Sequence, residues 1–348
     1  MRREKLKAFQ GVRGLAILLI MLSHTALIKG ADGNSCLVHL GGAGVELFLL
    51  LSGFLTCYWH LDEPIVPKNF KDSILYAIKK IKKYYLLHII TLLMAIPFVG
   101  KALFWQIDFW QWLKLAVNVL LLQSWVPMGS VYFSFNAVSW YLSVMMFLLL
   151  VSSCVLYRLK YIKVKQCCIL LLAIGLSEFL LAGIAGRLPM EKTAIHWLVY
   201  VFPFVRLMDF VCGGGLSVLA RKTTPDINGV IHKYGSTFLI IIYMAIIILG
   251  TFYDNEYFSV ALWYIPSALM IYLLATKERR LTILFENRFL VFIGNISFEL
   301  FLVHQLVIRY YSVLYKKFLG SDIASWSYII PLCISVLLAE IINRKARV

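Results

Sequence analysis

The feature that most restricts this chain is a succession of ten apolar stretches close to bilayer-spanning length. They fall at about 14–29, 42–60, 84–99, 138–157, 167–186, 196–219, 236–253, 259–276, 289–315 and 325–342. A transmembrane helix needs about 20 predominantly apolar residues. Within hydrocarbon every backbone N–H and C=O has to find its partner inside the protein, and for runs without strand-like alternation the helix is the solution. The expectation is an all-α polytopic membrane protein with about ten transmembrane helices. Composition agrees: 61% of the 348 residues are hydrophobic and 15% are charged, which excludes an ordinary soluble domain.

Charge predicts the orientation. The chain carries 34 Lys and Arg against 18 Asp and Glu, a formal net charge of +16. Such an excess can signal a nucleic-acid partner, but here the basic residues fall in short runs between apolar stretches, where they set topology. No nucleic-acid partner is expected. With ten spans, 25 of the 34 basic residues lie on the side of the N-terminus, so both termini are expected in the cytoplasm. An eleventh apolar segment, 109–126, contains Lys114, Asn118 and Gln123. Counting it as a span would turn the run Arg158, Lys160, Lys163 and Lys165 outward, against the positive-inside bias. It is therefore read as re-entrant or interfacial, with Trp105, Trp110, Trp112 and Trp125 as interfacial aromatics. A polar, non-spanning segment at that depth has to be buried in protein or line a wet cavity.

Residues 68–83, with Lys68, Lys71, Lys79, Lys80, Lys82 and Lys83, read as an amphipathic cytoplasmic helix able to meet anionic headgroups or an anionic cofactor. No small-residue cleavage site follows His24, so the first helix is expected to be retained. The seven cysteines have no metal-ligand spacing and read as packing residues; no metal is expected. The expected organisation is a single integral-membrane domain over 1–348 with no attached soluble domain.

The chemistry has to come from polar residues inside the spans. Arg13 and His24 are separated by a nearly continuous apolar run. Eleven residues of helix advance about 16 Å in three turns, which leaves both side chains on one face. Arg13 is expected near the headgroups and His24 well inside, on one polar path. A titratable group at that depth is costly and is a functional candidate; the competing reading is an imidazole that hydrogen-bonds within the bundle.

Glu46, in Gly-Gly-Ala-Gly-Val-Glu-Leu-Phe, can reach a height similar to that of His24. A carboxylate there would orient the imidazole and select its tautomer. Ser52-Gly53 follows two turns deeper, and the glycines at 41, 42, 44 and 53 read as sites of close helix contact. Arg206 and Asp209, spaced i, i+3, either pair with each other or leave Arg206 to meet a substrate anion. Trp140 and Tyr141 open the fourth span, as membrane anchors or as faces that stack on sugar rings. His304, five residues after Glu299, is a second imidazole within a span. The chain has no Gly-rich phosphate loop, no Gly-x-Ser-x-Gly and no His-Glu-x-x-His. Asn295-Ile296-Ser297 fits a glycosylation acceptor pattern but falls in a predicted span, and is discounted.

Taken together, these blocks resemble a known family. Arg13 through His24 looks like the Arg-x10-His motif of membrane acyltransferase family 3, the O-acyltransferases of bacterial envelope glycans. Gly44-Val45-Glu46-Leu47-Phe48 with Leu51-Ser52-Gly53-Phe54-Leu55 is similar to its second-helix signature. Trp140-Tyr141-Leu142-Ser143, Arg206-Leu207-Met208-Asp209-Phe210 with Gly213, and Gly294-Asn295-Ile296-Ser297-Phe298 ending in Leu302-Val303-His304 resemble further blocks in the expected order. The resemblance covers nearly the whole chain. Two departures stand out: Glu46 where many relatives have Asp, and Met145 and Met146 where many have a Glu. No role of that Glu carries over.

The resemblance implies transfer of an acyl group, usually acetyl, from cytoplasmic acyl-CoA to a hydroxyl of an envelope or exported polysaccharide or glycolipid. In that frame His24 is the base and Glu46 orients it. Arg13, with Lys79, Lys82 and Lys83, supplies cations for the donor phosphates. Ser52, Trp140, Tyr141, Arg206, Asp209 and His304 line the site. An acyl-His intermediate is the competing mechanism. The implied setting is the bacterial cytoplasmic membrane, with acetyl-CoA as donor substrate and a glycan or lipid-linked sugar as acceptor; a homo-oligomer is compatible with the sequence. A transporter or flippase for a lipid-linked glycan is the alternative, against which stands the lack of an internal repeat or of paired broken helices. A membrane sensor or scaffold would not require Arg and His on one helix face.

Overall fold

The computed structural model describes residues 4–28, 36–61, 70–100, 103–104, 106, 108–222, 225–252, 256–319 and 325–346; Lys68 and Trp105 lie outside these. The described residues are overwhelmingly helical and contain no strand. The helices are α1 (Glu4–Ile28), α2 (Cys36–His60), α3 (Phe70–Ala95), α4 (Phe109–Val119), α5 (Gly129–Tyr132), α6 (Trp140–Lys160), α7 (Val164–Ala185), α8 (Lys192–His196), α9 (Pro203–Lys222), α10 (Pro225–Phe252), α11 (Glu256–Ala275), α12 (Arg279–Phe285), α13 (Arg288–Asn295), α14 (Ser297–Leu319) and α15 (Ile329–Lys345). A π-helical turn, Trp197–Val201, follows α8.

Among the described residues, seven helices are long and apolar enough to cross a bilayer, and nine if each of two bent pairs counts as one span. The bends lie between α11 and α12, at 96°, and between α13 and α14, at 76°. The tenth expected span corresponds to α15, whose 17 residues fall short of that length. All-helical membrane architecture is thus established, with seven to nine spans by length and composition.

Three local expectations gain detail, and the non-spanning reading of 109–126 holds among them. The described part of the basic stretch, 70–83, is not a separate surface helix: it forms the first turns of the continuous 26-residue α3, which runs on into the apolar half. The segment 109–126 breaks up into the 11-residue α4 and a short 3₁₀ turn at Gln123–Trp125. Eleven residues extend about 16 Å, too short to span. Third, α1 begins at Glu4 and its apolar window is Lys7–Thr25. Arg13 lies about 9 Å along the helix from the start of that window, and His24 lies next to its other end.

Backbone contact at glycines sets the helix crossings. A Cβ at Gly53 on α2 would come 1.9 Å from the carbonyl oxygen of Phe210 on α9, and one at Gly213 would come 1.8 Å from that of Leu50. The two helices touch backbone to backbone, as small residues permit in a bilayer, where dispersion contact drives association. A second contact of this kind joins α1 to α13: a Cβ at Gly294 would lie 1.8 Å from Gln10 O, and one at Gly14 would lie 2.2 Å from Leu290 O. A Cβ at Gly41 would lie 2.6 Å from Ser23 Oγ and one at Gly44 would lie 2.5 Å from the carbonyl oxygen of Ala16, both on α1. The expected close-contact role of the glycines at 41, 44 and 53 holds, and these crossings pack α2 tightly against both α1 and α9. The outer faces stay apolar: Leu172, Leu176, Leu180 and Ile184 form an exposed stripe along α7, suited to acyl chains.

Candidate active site

Two cavities open along α1. The first, toward the N-terminal end of α1, holds about 160 Å³ and is lined by Arg13, Ser52, Tyr84 and Tyr141 among mostly apolar side chains. The second, toward the C-terminal end of α1, holds about 720 Å³ and is lined by His24, His39, Trp140, Lys192, His196 and Tyr200. Phe301 of α14 lines both. Its ring lies 5.3 Å from Tyr141 and 6.3 Å from Phe48, centroid to centroid. The expected single polar path is therefore two chambers separated by an aromatic partition.

His24 is positioned by another imidazole. Its Nδ1 lies 2.8 Å from Nε2 of His304, with the ring centroids 5.0 Å apart. His304 Nδ1 lies 2.9 Å from the carbonyl oxygen of Leu300, one turn earlier in α14. A carbonyl only accepts, so His304 Nδ1 carries the proton and its Nε2 is left as an acceptor. His24 Nδ1 then donates to it. In the neutral state this leaves a lone pair on His24 Nε2, at a cavity wall. The helical spacing of Leu300 and His304 in α14 makes the first link, and the packing of α14 directly against α1 brings His24 to the second.

Glu46 does not serve as the orienting group expected of it. Its carboxylate Oε2 meets Arg206 Nη1 at 3.4 Å, while Arg206 Nη1 also contacts Asp209 at 2.9 Å and Nη2 donates to Val199 O at 2.9 Å. The α2 residues lining the His24 cavity are His39, Gly41, Gly42 and Val45. Glu46 is turned about 100° from Val45 on the helix, and a carboxylate buried in an apolar bundle is held by the nearest cation. Arg206 and Asp209 form the i, i+3 pair that their spacing suggests, and neither lines either cavity. The expectation that they line the site is thereby corrected: Arg206 stands behind the wall, 6.0 Å from the Tyr200 ring centroid.

Glu178 of α7 completes this buried cluster and was not singled out from sequence. Its carboxylate, with those of Glu46 and Asp209, has an oxygen within 4.8 Å of the others. These three are the group among the described residues with spacing suited to a cation, but the Arg206 guanidinium already pairs with two of them. Glu178 is the lone acid in the apolar stretch 167–186, which is the signal that could have marked it.

The other expected residues separate cleanly. Trp140 lines the His24 cavity, while Ser52 and Tyr141 line the Arg13 cavity. Lys83 Nζ lies 5.3 Å over the ring of Tyr84, at the Arg13 cavity. Lys79 and Lys82 are exposed on the same helix and line neither cavity. Sequence reading also missed the clamp that holds 121–124 over this region: Ser143 Oγ donates to Leu121 O at 2.6 Å, and Trp197 Nε1 donates to Ser124 O at 2.8 Å.

The model of a family described as "Acyltransferase domain" matches residues 6–342. The chain is 26% identical over 329 residues to Acyltransferase MdmB of Streptomyces mycarofaciens, covering 89% of this chain and 80% of that protein. No solved structure matches it.

Proposed function

This chain belongs to membrane acyltransferase family 3, and from that premise we propose that it moves an acyl group from acyl-CoA at the Arg13 cavity to a sugar hydroxyl in the His24 cavity. The acyl group is acetyl, and the acceptor is an envelope polysaccharide or glycolipid sugar at the bacterial cytoplasmic membrane. The observation that carries this reading is the pair of chambers on either side of Phe301, one with a guanidinium and the other with an imidazole.

The chemistry follows from the groups present. Coenzyme A is a polyanion, and an Arg fork matches phosphate geometry. The Arg13 chamber, at about 160 Å³, is too small for the whole cofactor. It takes the thioester end, while the exposed Lys79, Lys82 and Lys83 attract the nucleotide. In the second chamber His24 Nε2 removes the proton of the acceptor hydroxyl, and the oxygen attacks the thioester carbonyl, which has to reach past the Phe301 ring from the Arg13 chamber for the two to meet. The new C–O bond forms, the C–S bond breaks, and the proton passes from His24 to the departing thiolate. Trp140 and Tyr200 offer faces on which a sugar ring can stack.

Purified protein in liposomes, given radiolabelled acetyl-CoA and a panel of alkyl glycosides, tests the proposal. Wild type transfers label to a glycoside ester. His24→Ala lowers transfer about 1,000-fold, to a small residual rate, while its thermal unfolding stays unchanged, and Arg13→Ala raises the KM for acetyl-CoA. Folded wild type that esterifies no glycoside, or a His24→Ala variant that keeps full transfer, overturns it.

A further inference from the structure

We infer that His304 is a positioning residue that holds His24 in the one neutral tautomer able to act as a base. The inference rests on the reading of His24 as the base and goes beyond it by assigning the group that prepares it.

A neutral imidazole has one donor and one acceptor nitrogen, so its tautomer is decided by whichever partner is least negotiable. Here that partner is the Leu300 carbonyl, 2.9 Å from His304 Nδ1. The constraint passes through the ring to Nε2 and across 2.8 Å to His24 Nδ1. The orientation of the chain Leu300 C=O, His304, His24 is thereby fixed from its inner end, and the basic lone pair emerges at His24 Nε2. His304 is fully buried, with no exposed surface to give water a competing claim on Nε2.

The arrangement also answers an electrostatic difficulty. In a Ser-His-Asp triad a carboxylate holds the ring and stabilises the imidazolium. A carboxylate beside His24 would be a buried anion whenever the base is neutral, which is costly in an apolar bundle. His304 offers an acceptor without net charge. When His24 Nε2 takes the hydroxyl proton, its Nδ1–H bond to His304 becomes charge-assisted and strengthens. The carboxylate nearest in sequence reasoning, Glu46, is paired with Arg206.

The experiment is a double-mutant cycle on the reconstituted protein, using acetyl-CoA and the alkyl glycoside on which wild type is most active. His304→Ala lowers kcat about 100-fold, within the range for general-base catalysis, and leaves both KM values within about twofold. His304→Gln, whose amide oxygen can accept from His24 Nδ1, recovers at least tenfold of that loss. The variant combining His24→Ala with His304→Ala is no slower than His24→Ala alone, because His304 acts through His24. Folded His304→Ala with kcat within threefold of wild type overturns the inference, as does a combined variant slower than His24→Ala alone, or a His304→Gln variant with no recovery. If His24→Ala itself keeps wild-type kcat, the base assignment falls; if His24→Ala is slowed to its residual rate and His304→Ala is not slowed, only the present inference falls.

Discussion

Trp140 and Tyr141, adjacent in sequence at the start of α6, line opposite chambers, Trp140 that of His24 and Tyr141 that of Arg13. Successive residues of a helix point about 100° apart, so this one helical step straddles the partition. The ring of Tyr141 and the ring of Phe301, 5.3 Å apart, form part of the wall itself.

The two aromatics should therefore fail differently. Trp140→Ala is expected to raise the acceptor KM about tenfold, in keeping with the loss of a stacking face, with the acetyl-CoA KM unchanged. Tyr141→Ala should shift the donor KM instead. Steady-state kinetics with each substrate varied in turn checks both, and a common shift in the two constants would contradict the division into chambers.

Phe301→Ala removes the ring that lines both cavities of about 720 and 160 Å³. Joining them admits water to the thioester, since an enclosed site suppresses such side reactions. Thiol release from acetyl-CoA in the absence of acceptor, measured per folded molecule, should rise at least threefold. The same substitution should lower stability by about 3–5 kcal/mol as a core truncation.

Arg206 holds Glu46 and Asp209, and with Glu178 nearby its removal leaves buried carboxylates without a cation. Arg206→Leu should destabilise the protein by about 3–5 kcal/mol, seen as a lower unfolding temperature in detergent and a poor yield of folded protein. Glu46→Gln removes one of the competing negative charges while keeping its shape. It should retain kcat within about threefold per folded molecule, which a group orienting His24 would not.

Gly213→Ala places a methyl group 1.8 Å from the Leu50 carbonyl oxygen, so α2 and α9 have to part. Its unfolding temperature should fall sharply, and activity with it, because α2 also lines the His24 chamber. Gly229→Ala, in α10 with no atom within 4 Å of the added carbon, should be neutral or raise stability by about 0.5–1 kcal/mol, since Gly weakens a helix relative to Ala. Parallel thermal unfolding of the two variants checks the contrast.

Much of this molecule was readable along the chain. Apolar length predicted the helices, and within one helix a position is determined by a 1.5 Å rise and a 100° turn. That is why the Arg206–Asp209 pair could be read from spacing, and why Arg13 and His24 could be assigned to one face. The helix itself starts at Glu4, nine residues before Arg13, ahead of the apolar run from which it was read.

What had to come from three dimensions is every relation between helices. His24 and His304 are 280 residues apart, and hydropathy says which residues are in the membrane but not which faces meet. Glu46 was assigned to His24 because their heights matched; the angular setting of α2 gave it to Arg206 instead. That setting depends on where backbones can touch, at Gly53 against Phe210, Gly213 against Leu50 and Gly294 against Gln10. A difference of one residue in any of these crossings would rotate a side chain by about 100° and hand it a different partner. The elements and their periods thus belong to the one-dimensional text, and the choice of partners belongs to steric contact between helices.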